Sequence, residues 1–198
     1  MKTYTISRKK ENFSWEQVPA LAIDTLLWSP EVPISAKAQF CYDDNALYVR
    51  LQAVEPNIRA ENTQILDEPC QDSCLEFFFS PIPGDNRYFN IEFNLNLCMW
   101  LGMGYDFPSN IRLIPEINPF SPKAERTEDG WLVEYSIPHS FVRQFFPEYA
   151  PVSGNSIKAN CYKCGDLTVQ EHYFSWNPID LPNPCFHCPE FFGTMHFE

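Results

Sequence analysis

The sequence predicts an all-β fold, a single antiparallel β-sandwich of jelly-roll or immunoglobulin-like type with one or two short helices, in one domain over residues 1–198. Three observations lead to this prediction. Several short segments alternate apolar and polar residues with a period of two, as half-buried strands do. The chain contains eighteen Pro but only seven Gly, which favours short elements joined by stiff loops. Aromatic residues make up 16% of the chain, which indicates a packed core rather than disorder.

The central strand pair is predicted from two alternating runs, residues 72–81 and 87–94. The connector between them, residues 81–87, is dense in turn residues, so the two runs should form a hairpin. We expect a register in which Phe79 lies opposite Phe89. The residues then expected to be buried between the sheets are Phe77, Phe79, Phe89, Ile91 and Phe93.

The other elements follow in chain order from the same patterns. Phe13–Pro19 is an irregular first segment, and His139–Phe146 is the best candidate for a short helix. Asp43, Asp44 and Asn45 form a polar turn between two strands, where a Ca²⁺ ion is conceivable but a plain hairpin turn is favoured. The further predicted strands are Lys37–Tyr42, Ala46–Ala53, Leu97–Leu101, Trp131–Pro138, Ile157–Lys163, Tyr173–Trp176 and Gly193–Phe197.

Composition also excludes several classes of function. The net charge of −12 would repel a phosphate backbone, so we expect no binding to nucleic acid. No run approaches the ~20 apolar residues needed to span a bilayer, and no membrane partner is expected. The polar N-terminal residues lack a signal-peptide core, which predicts a cytoplasmic protein as the sequence stands, or a secreted one if a leader was trimmed. No metal-binding histidine pair, nucleophile elbow or phosphate loop is present.

Two carboxylates stand out on the polar face of the central hairpin. The register that pairs Phe79 with Phe89 places Glu76 directly opposite Glu92, where like charges destabilise a sheet. Asn90 flanks the pair, so a polar ligand site is one interpretation. A catalytic pair of the kind that glycoside hydrolases use is another. In a third, the carboxylates are solvated or pair with a basic residue such as Arg50, Arg59 or Lys163.

The eight cysteines also need an interpretation. Cys161 and Cys164 are followed by Cys185 and Cys188 at the spacing of a C-x₂-C…C-x₂-C zinc site, and His187 is a spare ligand. Strand alternation, however, places Cys161 and Cys164 on opposite faces. We therefore expect reduced thiols, no metal site and no cofactor, with a disulfide or a structural zinc as the alternatives.

A resemblance to a known family is spread over six segments. These are Ala46–Arg50, Gln71–Phe78, Tyr88–Asn94, Trp131–Tyr135 with Ile137 and Pro138, Ser175 with Trp176, and His187–Gly193. In their order and spacing they resemble the family 9 carbohydrate-binding modules and their stand-alone relatives, which are β-sandwiches. Sugar-binding members hold a ring between two tryptophans, assisted by polar side chains on one sheet face.

The resemblance implies particular positions for such a site. The two tryptophans would fall near Cys70 and Phe186, so this chain departs from the family at both positions. The strand glutamate of the family matches Glu76. The family's Arg and Asn on the neighbouring strand fall on Asn90 and Glu92, which implies a different sugar or none.

The function predicted from the resemblance is non-catalytic binding of a mono- or oligosaccharide at a shallow site on one sheet face, within carbohydrate catabolism. Trp100 or Trp176 could join Phe186 in a stacking platform. The alternatives are a glycoside hydrolase with a carboxylate pair and a zinc-stapled interaction domain. The predicted ligand-binding residues are Glu76, Asn90, Glu92, Tyr162, Asn183 and Phe186.

Overall fold

The computed structural model describes all 198 residues, and fourteen strands dominate it. The first seven strands are β1 (Thr3–Arg8), β2 (Leu21–Ile23), β3 (Thr25–Leu27), β4 (Ser35–Tyr42), β5 (Ala46–Val54), β6 (Cys74–Ser80) and β7 (Tyr88–Asn94). The second seven are β8 (Met99–Gly104), β9 (Ile111–Arg112), β10 (Lys123–Arg126), β11 (Gly130–Pro138), β12 (Ser156–Gly165), β13 (His172–Ser175) and β14 (Gly193–Phe197). The helices are α1 (His139–Arg143) and three short 3₁₀ helices, Trp15–Gln17, Pro69–Gln71 and Pro189–Phe191. The predicted all-β class is confirmed.

The strands form one continuous curled sheet whose two halves pack face to face. One half runs β14–β12–β6–β7–β8–β9, with β13 and then β3 added beside β12. The other half runs β10–β11–β5–β4, with β2 also paired to β4. β1 links the halves, because Thr3–Ile6 pair with β14 whereas Ser7 and Arg8 pair with β4. Both pairings of β1 are parallel and all the others are antiparallel, so the antiparallel description fails only at this strand.

The central hairpin has the predicted register. Phe79 pairs with Phe89 and Glu76 pairs with Glu92 across β6 and β7. The five side chains predicted to lie between the sheets are all fully buried in a cluster of 33 residues. Each such burial stabilises the fold by roughly 1.5–3 kcal/mol, so the apolar face fixes the register of the polar face.

The opposite face of β6 and β7 is only partly open. A second, smaller cluster forms there, around Phe78, Tyr88 and Tyr162, and the C-terminal segment packs onto it through Ile179 and Phe192. Every residue of both strands is therefore buried, although only one face belongs to the core between the sheets. This cover leaves a depression over Glu76 and Glu92.

Two local predictions were refined. The helix ends at Arg143 rather than at Phe146, because Phe146 turns into the core and Pro147 prevents continuation. The polar turn is a hairpin turn, in which the Asp43 carboxylate accepts hydrogen bonds from the backbone N–H groups of Asn45 and Ala46. No helix is long and apolar enough to cross a membrane.

Candidate functional site

The site is built on one lateral row of the sheet. Strand pairing places Tyr162 beside Glu76, Glu76 beside Glu92, and Glu92 beside Trp100. Cross-strand partners project to the same face, so the four side chains line up across β12, β6, β7 and β8. The row follows from the register of the hairpin, which the packing of phenylalanines on the other face determines.

A cavity of about 290 Å³ lies over this row. Its base is polar and contains three carboxyl groups and two thiols, those of Glu76, Glu92, Asp166, Cys70 and Cys164. Its walls are mainly apolar and aromatic, and consist of Trp28, Phe78, Phe107, Tyr173, Pro184, Cys185, Phe186 and His187. An apolar wall with a few convergent polar groups is the usual composition of a small-molecule site.

The two glutamates are buried but incompletely hydrogen-bonded. Their exposed fractions are 2% for Glu76 and 7% for Glu92. Oε1 of Glu76 accepts a hydrogen bond from Sγ of Cys164 at 2.9 Å, and Oε1 of Glu92 accepts one from Nδ2 of Asn90 at 2.8 Å. The remaining oxygen of each carboxyl group makes no hydrogen bond to the protein and is free for a ligand.

No basic side chain neutralises the pair. The three residues considered as partners have other contacts: Arg50 pairs with Glu134, Arg59 with Asp72, and Lys163 with Glu55. The interpretation of Glu76 and Glu92 as halves of ordinary salt bridges is therefore wrong.

Burial raises the pKa of both glutamates. The pKa of Glu92 rises to about 7, because the loss of solvent outweighs the hydrogen bond from Asn90 and the positive charge of Arg112. The pKa of Glu76 rises well above its ordinary value, through burial first and then through repulsion from Glu92. Burial therefore favours the protonated form of both carboxyl groups, and a protonated carboxyl group can donate as well as accept a hydrogen bond.

The aromatic wall is organised around Phe186. Its ring stacks on Tyr162 with centroids 4.1 Å apart and planes 6° apart, and the Tyr162 hydroxyl donates to the Phe186 carbonyl at 3.2 Å. Trp28 lies 5.8 Å from Phe186 between ring centroids, and its indole N–H donates to the carbonyl of Leu181. Trp28 follows β3 with a positive φ of 35°, which turns the chain sharply at this wall.

A match to a family profile shows which protein family the chain belongs to. The profile of carbohydrate-binding family 9 matches residues 8–197, almost the whole chain. The chain belongs to carbohydrate-binding family 9. The predicted function, non-catalytic carbohydrate binding, is confirmed at the level of the family, whereas its location at a site on one sheet face stays a prediction.

Solved structures agree with this family assignment. A suggested carbohydrate-binding protein from Bacteroides uniformis is 25% identical, with a TM-score of 0.85 over 100% of this chain and 99% of that one. A family 9 carbohydrate-binding module from Caldicellulosiruptor kristjanssonii, solved with glucose and with cellotriose, is 18% identical with a TM-score of 0.70. The match covers 100% of this chain and 96% or 94% of that module. Among curated proteins, none matches the chain significantly.

Several residues predicted from the family 9 resemblance meet at the cavity. Glu76, Glu92 and Phe186 line it, as does Cys70, so the positions implied for both family tryptophans are part of its lining. Asn90 and Tyr162 stand behind this surface, because Asn90 holds Glu92 and Tyr162 supports Phe186. The binding role of these residues stays a prediction.

Three other candidates lie away from the cavity. Asn183 is exposed in the C-terminal segment and does not line the cavity, so its binding role stays a prediction. Trp176 is 3% exposed and belongs to the core between the sheets. Trp100 is covered by the guanidinium of Arg112, 4.3 Å from its ring centroid. Neither tryptophan is part of a stacking platform with Phe186.

Sequence reasoning missed most of the lining residues, among them Trp28, Phe107 and Asp166. Trp28 reaches the wall through the pairing of β3 with β13, a long-range contact that no local pattern reveals. Phe107 is 67% exposed in a loop, and single exposed apolar side chains are ordinary on a protein surface, so no sequence signal marked it as a lining residue.

The cysteines do not form the zinc site that their spacing suggested. β12 continues through Gly165, so Cys161 points into the core between the sheets while Cys164 points into the cavity. None of the eight cysteines is in a disulfide. A different group could hold a soft metal ion, since the donor atoms of Cys74, Glu76 and Cys164 all lie within 4.8 Å of one another.

Proposed function

We propose that the cavity over Glu76 and Glu92 is the carbohydrate site of this family 9 chain and that it takes one sugar unit of a mono- or oligosaccharide. The observation that carries the proposal is the pair of buried carboxyl groups, each with a free oxygen, beneath an aromatic wall. Sugars present the matching chemistry, with paired hydroxyl groups on their edges and an apolar C–H face.

The size of the cavity supports a single sugar unit. Its volume of about 290 Å³ is just below the roughly 300–1,000 Å³ found for small-molecule sites. The similar family 9 module was solved with glucose, a monosaccharide, and with cellotriose, a short oligosaccharide. These two sugars are therefore the first ligands to test on this chain.

Calorimetric titration of glucose, cellotriose and a wider set of mono- and oligosaccharides tests the proposal. We expect saturable binding of at least one of them without release of product. Trp28→Ala should weaken that binding by about tenfold or more, because it removes a ring that lines the cavity.

Phe13→Ala is the matched control. Phe13 is also a half-buried aromatic residue and packs edge to face against Trp15, but it lines a different cavity. Unchanged affinity in Phe13→Ala together with a loss in Trp28→Ala would support the site. Equal losses, or no binding of any saccharide, would contradict it, and hydrolysis of an oligosaccharide would restore the enzyme alternative.

A further inference from the structure

The charges around the cavity are one-sided. Glu76, Glu92 and Asp166 contribute three carboxyl groups to its lining, and no Lys or Arg lines it. His187 is the one lining residue that could become cationic, and burial lowers its pKa to about 4. Tyr88 lies within hydrogen-bonding distance of Nδ1 of this neutral imidazole, at 2.7 Å. The cavity therefore offers carboxyl groups that can become anionic and no compensating positive charge.

The nearest cations are held away from the cavity. The guanidinium of Arg112 donates to the carbonyls of Leu66, Asp67 and Met99 at 2.8–2.9 Å, so its donors are directed at backbone. Lys163 belongs to the face of β12 opposite the cavity, where Nζ lies 3.2 Å from Glu55. Neither side chain can turn into the cavity without abandoning these contacts.

The carboxyl oxygens that a cation would contact are present and unpartnered. Glu76 is 98% buried, since 2% of it is exposed, and it is aimed into the cavity with one oxygen that has no protein partner. The aromatic wall also attracts a cation. The ring faces of Trp28, Phe186 and Tyr173 are partially negative, and this attraction is stronger in a desolvated site. A neutral sugar would gain little from this attraction for a positive charge.

We propose that the cavity prefers sugars with a protonated amino group, such as 2-amino-2-deoxyhexoses, to neutral sugars of the same shape. This inference rests on the proposed function and specifies the class of sugar. The ammonium group would donate hydrogen bonds to the free oxygens of Glu76 and Glu92, and charge-assisted bonds of this kind are about twice as strong as neutral ones. The apolar face of the ring would lie on the aromatic wall.

Binding of an amine must also move protons. Glu92 faces Glu76, Asn90 and Trp100 and lies in the field of Arg112, Asp166 and Glu68. Glu76 faces Cys164 and Cys74, and lies in the field of Lys163 and Asp166. A bound ammonium would add positive charge to these surroundings and favour the ionised carboxylates, so the pair should release protons at pH 7. A neutral sugar should release fewer.

The test compares glucosamine, glucose and N-acetylglucosamine by calorimetric titration between pH 5 and 7, in buffers of different ionisation enthalpy and with chelator present. We expect glucosamine to bind about tenfold or more tightly than glucose at pH 7. Its affinity should rise between pH 5 and 7 as the carboxyls ionise, and its binding should release protons. N-acetylglucosamine has a neutral amide at the same ring position, so it should lose the advantage.

Two variants test whether the preference for the amino sugar depends on the carboxyl pair. In Glu92→Gln the ratio of glucose to glucosamine dissociation constants should fall toward one, whereas in the charge-matched surface variant Glu11→Gln it should stay as in the wild type. If glucose binds and glucosamine binds no better, the amino-sugar inference is overturned while the proposed function stands. If no sugar binds at any pH, the proposed function fails, and the inference with it.

Discussion

At the scale of single residues, the site depends on two carboxyl groups whose burial would be costly in an ordinary core. Glu76 and Glu92 are placed opposite each other because the phenylalanines on the reverse face allow only one register. Asn90 holds Glu92 and in turn accepts a hydrogen bond from Asn110 at 2.9 Å. Natural proteins retain such uncompensated groups mainly where a ligand uses them.

The raised pKa of Glu92 predicts a dependence of stability on pH. In the unfolded chain the carboxyl loses its proton near pH 4.5, whereas in the folded chain it keeps it up to about pH 7. The folded state therefore binds more protons between these values, and the stabilisation present below pH 4.5 is lost as the pH rises through 7. Glu92→Gln should remove this loss. On going from pH 4.5 to pH 8, the free energy of unfolding of the variant should therefore rise relative to that of the wild type by up to about 3 kcal/mol.

Urea unfolding of the wild type, Glu92→Gln and Glu11→Gln at pH 4.5 and pH 8 measures this effect. Glu11 is exposed, so its variant should follow the wild type at both pH values. A Glu92→Gln variant that loses as much stability on raising the pH as the wild type would show that Glu92 ionises normally.

The thiols near Glu76 give a prediction about metal content. Burial raises the pKa of Cys74, and the pKa of Cys164 is raised by its hydrogen bond with Cys74 and then by burial. A protonated thiol is a poor metal ligand. We therefore expect elemental analysis of protein purified without chelator to find no stoichiometric zinc. One zinc per chain that is lost in Cys164→Ser but kept in Cys188→Ser would instead assign a metal to Cys74, Glu76 and Cys164.

At the scale of elements, the central hairpin is the unit on which the rest depends. Phe93 is fully buried in it and packs on Tyr135 of β11, in the opposing half of the sheet. Phe93→Ala should lower the free energy of unfolding by about 3–5 kcal/mol, as a large-to-small change in a packed core does. Denaturant melts of this variant measure the loss.

Phe107→Ala is the control for that measurement. Phe107 is 67% exposed, so its truncation should change stability by less than about 0.5 kcal/mol. Equal effects of the two truncations would mean that the hairpin does not pack as described.

Sequence patterns predicted the hairpin well because its information is local. Alternation in two short runs and a turn between them determined both the register and the facing of Glu76 and Glu92. The same reasoning could not place Trp28, whose position depends on β3 pairing with β13 far along the chain. It also could not foresee that the C-terminal segment covers Phe78 and Tyr162 and turns an open face into a cavity.

At the scale of the whole molecule, the family resemblance supplied what local patterns lacked. It implied that Cys70 and Phe186 would lie at one site, and both line the cavity although neither is a tryptophan. The parallel pairing of β1 with β14 and β4 was not foreseen. Parallel strands cannot be joined by a short hairpin turn, so no local sequence pattern marks such a pair. This strand joins the two halves of the sheet and so completes the framework behind the site.

The central claim is that sugar binds over the carboxyl pair, and a crystal structure of the chain with a bound saccharide tests it most directly. We predict a sugar ring against Trp28 and Phe186, with polar groups within hydrogen-bonding distance of the free oxygens of Glu76 and Glu92. A sugar bound elsewhere, for example in the cavity lined by Gln64, Arg112 and Glu116, with no contact to either glutamate would contradict the account.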